Sequence, residues 1–375
     1  MRAVRGLVGL GWLGLVACPS PPADGGGGGA ATSGSGETSS TSSTSSTSST
    51  SSSSGTTVAP TTTAPAPDAG AGSACGARSP EALMDCIDSE RWAEDVAFIA
   101  KSRPPGSIHW QKVQDRCAAG LEKAGFTVER QDYGTGVNVI GRREGTEAPS
   151  EVVLLGAHYD HISGCPGADD NASGVAGALE VARVLGQAAL PRTLIVACWD
   201  EEELGLWGSR AFAESFTGAK LAVAFNFDMI GYASSAEQSQ IFPGPLAERF
   251  PGLAEELVAH KGRADFIAVV ADSSAESFAL ELEAHAESLG RLTGVMTLTE
   301  AEKLDEDAFG VLARSDQVSF WEQGLPALHV FDTGVFRYPA YHCFSGLDTA
   351  DKLDQAFAAD VLKATTAAVA TAAGL

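Results

Sequence analysis

Apolar residues recur at helical spacing in the stretches 91–101, 110–124, 173–185 and 207–215, which predicts amphipathic helices there. Between and beyond them run short segments that are apolar throughout or extended, at 127–132, 137–141, 152–157, 193–199, 221–227 and 327–331. Strands of four to eight residues without strict alternation suit a sheet covered on both faces. Alternation of such strands with helices predicts an α/β fold, with a mixed, mostly parallel central sheet and helices on both faces.

The pattern differs before residue 75. Residues 19–73 are Gly, then Ser and Thr in short repeats, then Thr, Ala and Pro, with almost no large apolar side chain. Such a segment cannot bury enough surface to offset its ordering entropy, and it reads as a tether. Ahead of it, Met1, Arg2 and Arg5 precede an apolar run at 6–16, too short to span a bilayer with ease, which predicts an export signal. Its end, Leu15-Val16-Ala17-Cys18, resembles a lipobox, in which cleavage before the cysteine leaves a lipidated N-terminus. The expected layout is a signal at 1–17, a disordered tether at 18–74 and one folded domain at 75–375. The expected location is outside the cytoplasm, lipid-anchored at the cell envelope through Cys18.

A formal net charge of −23 argues against a nucleic-acid partner, since phosphate binding needs clustered Lys and Arg, and none is expected. Export permits disulfides among Cys75, Cys86, Cys117, Cys165, Cys198 and Cys343. Nothing in the pattern points to a particular oligomeric state.

In a parallel sheet, ligands collect beyond the C-terminal strand ends, and there the polar residues are patterned. The run 152–157 leads into His158-Tyr159-Asp160-His161, the run 193–199 into Asp200-Glu201-Glu202-Glu203, and the run 221–227 into Asp228. The segment 166–174 adds Asp169-Asp170 at a helix start. Any one of these has a plainer explanation: an acidic run complements a helix dipole and an Asp caps a helix. Together they bring imidazole and hard carboxylates to one sheet edge, a donor set that suits catalytic Zn²⁺.

The ordered set Gly-Ala-His-Tyr-Asp, Gly-Ala-Asp-Asp-Asn, Glu-Glu-Leu-Gly, Asn-Phe-Asp-Met-Ile-Gly and Tyr-His resembles the M28-type zinc aminopeptidases from about residue 91 onward. The resemblance implies the zinc-exopeptidase fold and two Zn²⁺ ions. His158 and Asp228 would hold one, Glu203 and His342 the other, and Asp169 would bridge them. Asp160 would orient the His158 ring. Glu202 would be the general base, and Tyr341 would donate a hydrogen bond to the developing oxyanion. The substrate implied is a peptide or protein with a free N-terminus. It further implies a cis peptide bond between Asp169 and Asp170. If the loops around Asp169 and His342 meet at the metals, Cys165 and Cys343 are brought together and should pair, leaving Cys75, Cys86 and Cys117 to pair among themselves.

The chain departs from the family at Gln317, where relatives have His after Ser-Asp, which bears on substrate contacts. It departs again at Cys343–Leu347, a longer spacer before Asp348-Thr349 that should reshape the pocket beside His342. His161, His109, His260, His285 and His329 have no motif support and read as ordinary residues. Glutaminyl cyclisation, carboxypeptidase activity and a non-catalytic surface module stand as the alternatives on this fold.

Overall fold

Eight strands pair in the order β1-β2-β4-β3-β5-β8-β6-β7. They are β1 (Thr127–Asp132), β2 (Val137–Arg143), β3 (Ala148–His158), β4 (Arg192–Trp199), β5 (Lys220–Phe227), β6 (Ile267–Asp272), β7 (Thr293–Leu298) and β8 (Ala327–Phe331). The computed structural model describes Cys75 and residues 79–375, so the expected signal, Cys18 and the tether lie outside the described residues. The centre of the sheet, β4-β3-β5-β8, is parallel, whereas β1, β2 and the β6–β8 pairing are antiparallel. This is the mixed, mostly parallel sheet the hydrophobic pattern predicts.

Successive residues of β3 feed two cores. Val153, Leu155 and Ala157 pack into one layer, and Val152 and Leu154 into the other. The first layer holds the helices Ser89–Ile99, Ile108–Lys123, Gly174–Leu185, Glu276–Ser288 and Gln355–Ala372. The second holds Trp207–Ser215, Gly244–Arg249, Pro251–Ala259 and Gln317–Glu322. Helix starts are set locally: Asp88 accepts from the N–H groups of Glu90 and Arg91, Ser107 from Trp110, and Asp354 from Ala356 and Phe357. The helix Gly174–Leu185 is apolar nearly all round because it lies between the sheet and the C-terminal helix. At Gly177 an added Cβ would stand 2.8 Å from both Ile230 Cδ1 and Leu362 Cδ2, so a larger residue would require those two side chains to shift.

Strands β6 and β7 lie in a stretch, 233–314, that carries no recognised pattern in the sequence reading. β6 is buried at every position, and its apolar run, which ends at Asp272, is of the same kind as those that mark the other central strands. The Cys165–Cys343 pair forms as expected, with Cα atoms 5.9 Å apart, and Cys75 pairs with Cys86. Cys117 does not join that N-terminal group. It sits on the inward face of Ile108–Lys123, over the sheet, and bonds Cys198 of β4. Among the described residues no helix is long and apolar enough to cross a membrane.

Candidate active site

The order β4-β3-β5 places the three patterned strand ends side by side. His158 closes β3, the Asp200–Glu203 run follows β4 on one flank, and Asp228 follows β5 on the other. Asp160 joins the first two: its Oδ1 lies 3.5 Å from His158 Nδ1, and its carboxylate accepts from the N–H groups of Glu202 at 3.1 Å and Glu203 at 3.3 Å. One buried carboxylate thus lies beside the ring and holds the two-glutamate turn through its backbone.

The carboxylate that lies between the His158 and His342 rings is that of Asp170, not the expected Asp169. Asp170 Oδ1 is 3.3 Å from His158 Nε2, and its Oδ2 is 3.1 Å from His342 Nε2. Asp169, one residue earlier, turns the other way and accepts from Gly231 N at 2.8 Å. The cause is the backbone: Asp348 accepts from the N–H groups of both Asp169 and Asp170, and Gly167 turns the chain at φ 60°. A side chain at Gly167 would collide with Asp170 O and His161 Cδ2, both 2.3 Å from the added Cβ. The cis peptide bond is likewise one position on, between Asp170 and Asn171.

His158 Nε2 also faces Asp228 Oδ1 at 3.6 Å and Glu202 Oε2 at 3.9 Å, and His342 Nε2 faces Glu203 Oε2 at 3.4 Å. Two clusters result, His158–Glu202–Asp228 and His161–Asp170–Glu203, each with its donor atoms within 4.8 Å of one another. The donors fit zinc on two counts. Both ring nitrogens of His158 and of His161, and Oε1 of Glu203, are buried without a hydrogen-bond partner among the described residues. Orphaned polar atoms of this kind are rare unless something binds them. The acidic charge is also poorly offset by the protein. Burial, followed by Asp228, Asp316 and Glu203, pushes the Glu202 carboxyl well above its usual range against the opposing pull of His158. Burial chiefly raises Asp316 to about 7. Burial disfavours a charged His342, yet Asp170 and Glu203 overcome it and lift the ring to about 9.

A cavity of about 440 Å³ opens over these groups. Tyr341 lines it with its ring stacked on His342, centroids 4.0 Å apart. His329 lines it too, and its Nε2 meets Asp228 O at 3.1 Å, which ties the β8 end to the β5 end. Gln317 does not reach it. That side chain is fully buried and bonds Asn226 and Leu312 O, so this departure from the family alters packing under the site rather than contact with a substrate.

Arg103 escapes sequence reasoning because it stands far from every motif. Fully buried, it donates to six main-chain carbonyls, those of Ile99, Lys101, Tyr159, Pro166, Gly167 and Asp170. It therefore ties the loop after β3 to the loop that carries Asp170. Left-handed backbone gathers nearby as well, at Glu201, Leu206, Met229, Thr333, His342 and Cys343, all non-glycine residues in loops around the strand ends.

Residues 138–369 match peptidase family M28. The chain belongs to that family. Among curated relatives of this M28 peptidase, the Escherichia coli K12 protein YfbL is 30% identical over 220 residues, covering 55% of this chain and 62% of that one. Leucine aminopeptidase 2 of Trichophyton equinum is 34% identical over 154 residues, covering 36% and 31%. The M28 chain thus spans less than two thirds of the length of either relative. Among solved structures, the aminopeptidase of Aneurinibacillus sp. strain AM-1 is similar with a TM-score of 0.59 at 16% identity, covering 78% of this chain and 96% of that one, which shows the fold.

Proposed function

We propose that the protein is a two-zinc aminopeptidase, which hydrolyses the peptide bond next to a free N-terminus. The observation that carries this is Asp170, one carboxylate spanning two imidazoles, with Glu202 beside the His158 half. His158 and Asp228 would hold one ion, Glu203 and His342 the other, and Asp170 both. Bound zinc would supply an acidified water and a Lewis acid for the scissile carbonyl.

The chain's own residues do the rest. Glu202, hydrogen-bonded to Asp160 through its backbone N–H, takes the proton of the attacking water and returns it to the leaving amine nitrogen. Tyr341, on the cavity wall, donates to the oxygen on which charge develops. Aminopeptidase rather than carboxypeptidase action is supported by the relatives, which include a leucine aminopeptidase. The walls at Leu206, Met229, Val311, Phe331, Val335 and Phe336 suit an aliphatic or aromatic first side chain.

We read the natural setting as extracytoplasmic, with Cys18 lipidated and residues 18–74 holding the enzyme off the membrane. The apolar run at 6–16 and the Leu-Val-Ala-Cys sequence support this. Release of aminoacyl and N-blocked reporters, with and without chelator, tests the activity. Chelator-sensitive cleavage of the free-amine substrates alone is expected. Equal cleavage of blocked substrates would overturn the aminopeptidase reading.

A further inference from the structure

His161 lies outside the residues assigned above, and its surroundings ask for a partner. The side chain is fully buried, and neither ring nitrogen is hydrogen-bonded within the described protein. Its Nδ1 is 2.6 Å from Glu203 Oε1, itself without a hydrogen-bond partner, and 3.9 Å from Asp170 Oδ1. The ring stands edge-on to that of His342, centroids 5.8 Å apart at 69°. The close Nδ1–Oε1 approach lacks the alignment of a hydrogen bond. Two lone-pair atoms brought together in this way, with no shared proton in line, are disposed as ligands of one cation.

We infer that His161 is a fourth protein donor to the ion held by Asp170, Glu203 and His342. This rests on the zinc peptidase reading and adds an asymmetry to it. One position has four protein donors, His161, Asp170, Glu203 and His342; the other has three, His158, Asp170 and Asp228. Four protein ligands close a tetrahedral zinc site, whereas three leave a position for water or substrate. The Glu203 side is therefore the tighter, filled first and structural in character. The open position lies on the His158 side, where Glu202 stands 3.9 Å from Nε2.

Zinc titration of the chelator-stripped protein, read by calorimetry and by X-ray absorption at one equivalent, tests this without an activity assay. Expected are two resolved binding steps, with two imidazoles around the first ion. In His161→Ala the first step should weaken by more than the roughly 10- to 100-fold that loss of an outer hydrogen-bonding partner costs, and one imidazole should vanish. His161→Asn, which keeps a hydrogen-bond donor but is a poor zinc ligand, should behave like His161→Ala. A single imidazole around the first ion of the unaltered protein would overturn the inference, as would wild-type affinity in His161→Asn, which would mark His161 as a hydrogen-bonding support for Glu203. Failure of the unaltered protein to bind any zinc would instead overturn the peptidase reading on which the inference stands.

Discussion

Asp169 and Asp170 are neighbours whose carboxylates point apart: Asp170 lies between His158 and His342, while Asp169 reaches back to the N–H of Gly231. Their substitutions should therefore separate. Asp170→Asn is expected to abolish tight binding of both ions. Asp169→Asn should retain the wild-type zinc stoichiometry and cost about 1 kcal/mol of stability, because a buried acceptor is weakened. Zinc content after dialysis distinguishes them, and loss of both ions from Asp169→Asn would restore Asp169 to the bridging place.

Arg103 is expected to matter to stability and to metal affinity together. Arg103→Met leaves six carbonyls without their donor, several of them in the loop that follows His158 and the loop that carries Asp170. A loss of about 3 to 5 kcal/mol in denaturant unfolding is expected, as for other broken buried polar networks. Arg103→Lys should recover little, since an ammonium has three donors and cannot span both loops. Full recovery by Lys would show that charge, not the planar fork, is what the site requires.

The Cys165–Cys343 bond joins the Asp170 loop to the residue after His342. Replacing both cysteines by serine should lower stability by about 2 to 4 kcal/mol and weaken zinc binding on the His342 side. Thermal unfolding with and without zinc measures both effects. An unchanged zinc affinity would confine the bond to a stabilising role.

Away from the site, Glu302 accepts from Arg249 Nε at 2.7 Å and from Thr299 N at 2.9 Å, and Arg249 foremost draws its carboxyl down to about 2. A carboxyl depressed by folding stabilises above its unfolded pKa of about 4.3, and that contribution is lost as pH falls through about 2. Arg249→Met should therefore cost less than about 1 kcal/mol at pH 7, the pair being partly exposed, with the difference shrinking between about pH 4.3 and 2. An equal deficit at both pH values would assign the effect to Arg249 packing over the Phe250 ring, 4.8 Å away.

Much of this was legible in the chain because burial on both faces writes itself as short apolar runs, and β3, β4 and β5 each hand off to polar residues where the sheet ends. Order along the chain then identified the loops that meet. It could not decide between two adjacent aspartates. That choice is made by Asp348, nearly 180 residues away, which accepts from both backbone N–H groups. His161 was hidden for a similar reason: its sequence position resembles a strand rim, and only the fold buries it beside Glu203. Arg103 carries no motif, and its role exists only once six carbonyls converge on it.

The central claim is that Glu202 moves the proton and does not hold the metal. Zinc content and turnover of an aminoacyl substrate, measured on the same preparation of Glu202→Gln, test it most directly. Wild-type zinc content is expected, with turnover reduced by about 10²- to 10⁴-fold. Loss of zinc alongside activity, or turnover at the wild-type rate, would contradict it.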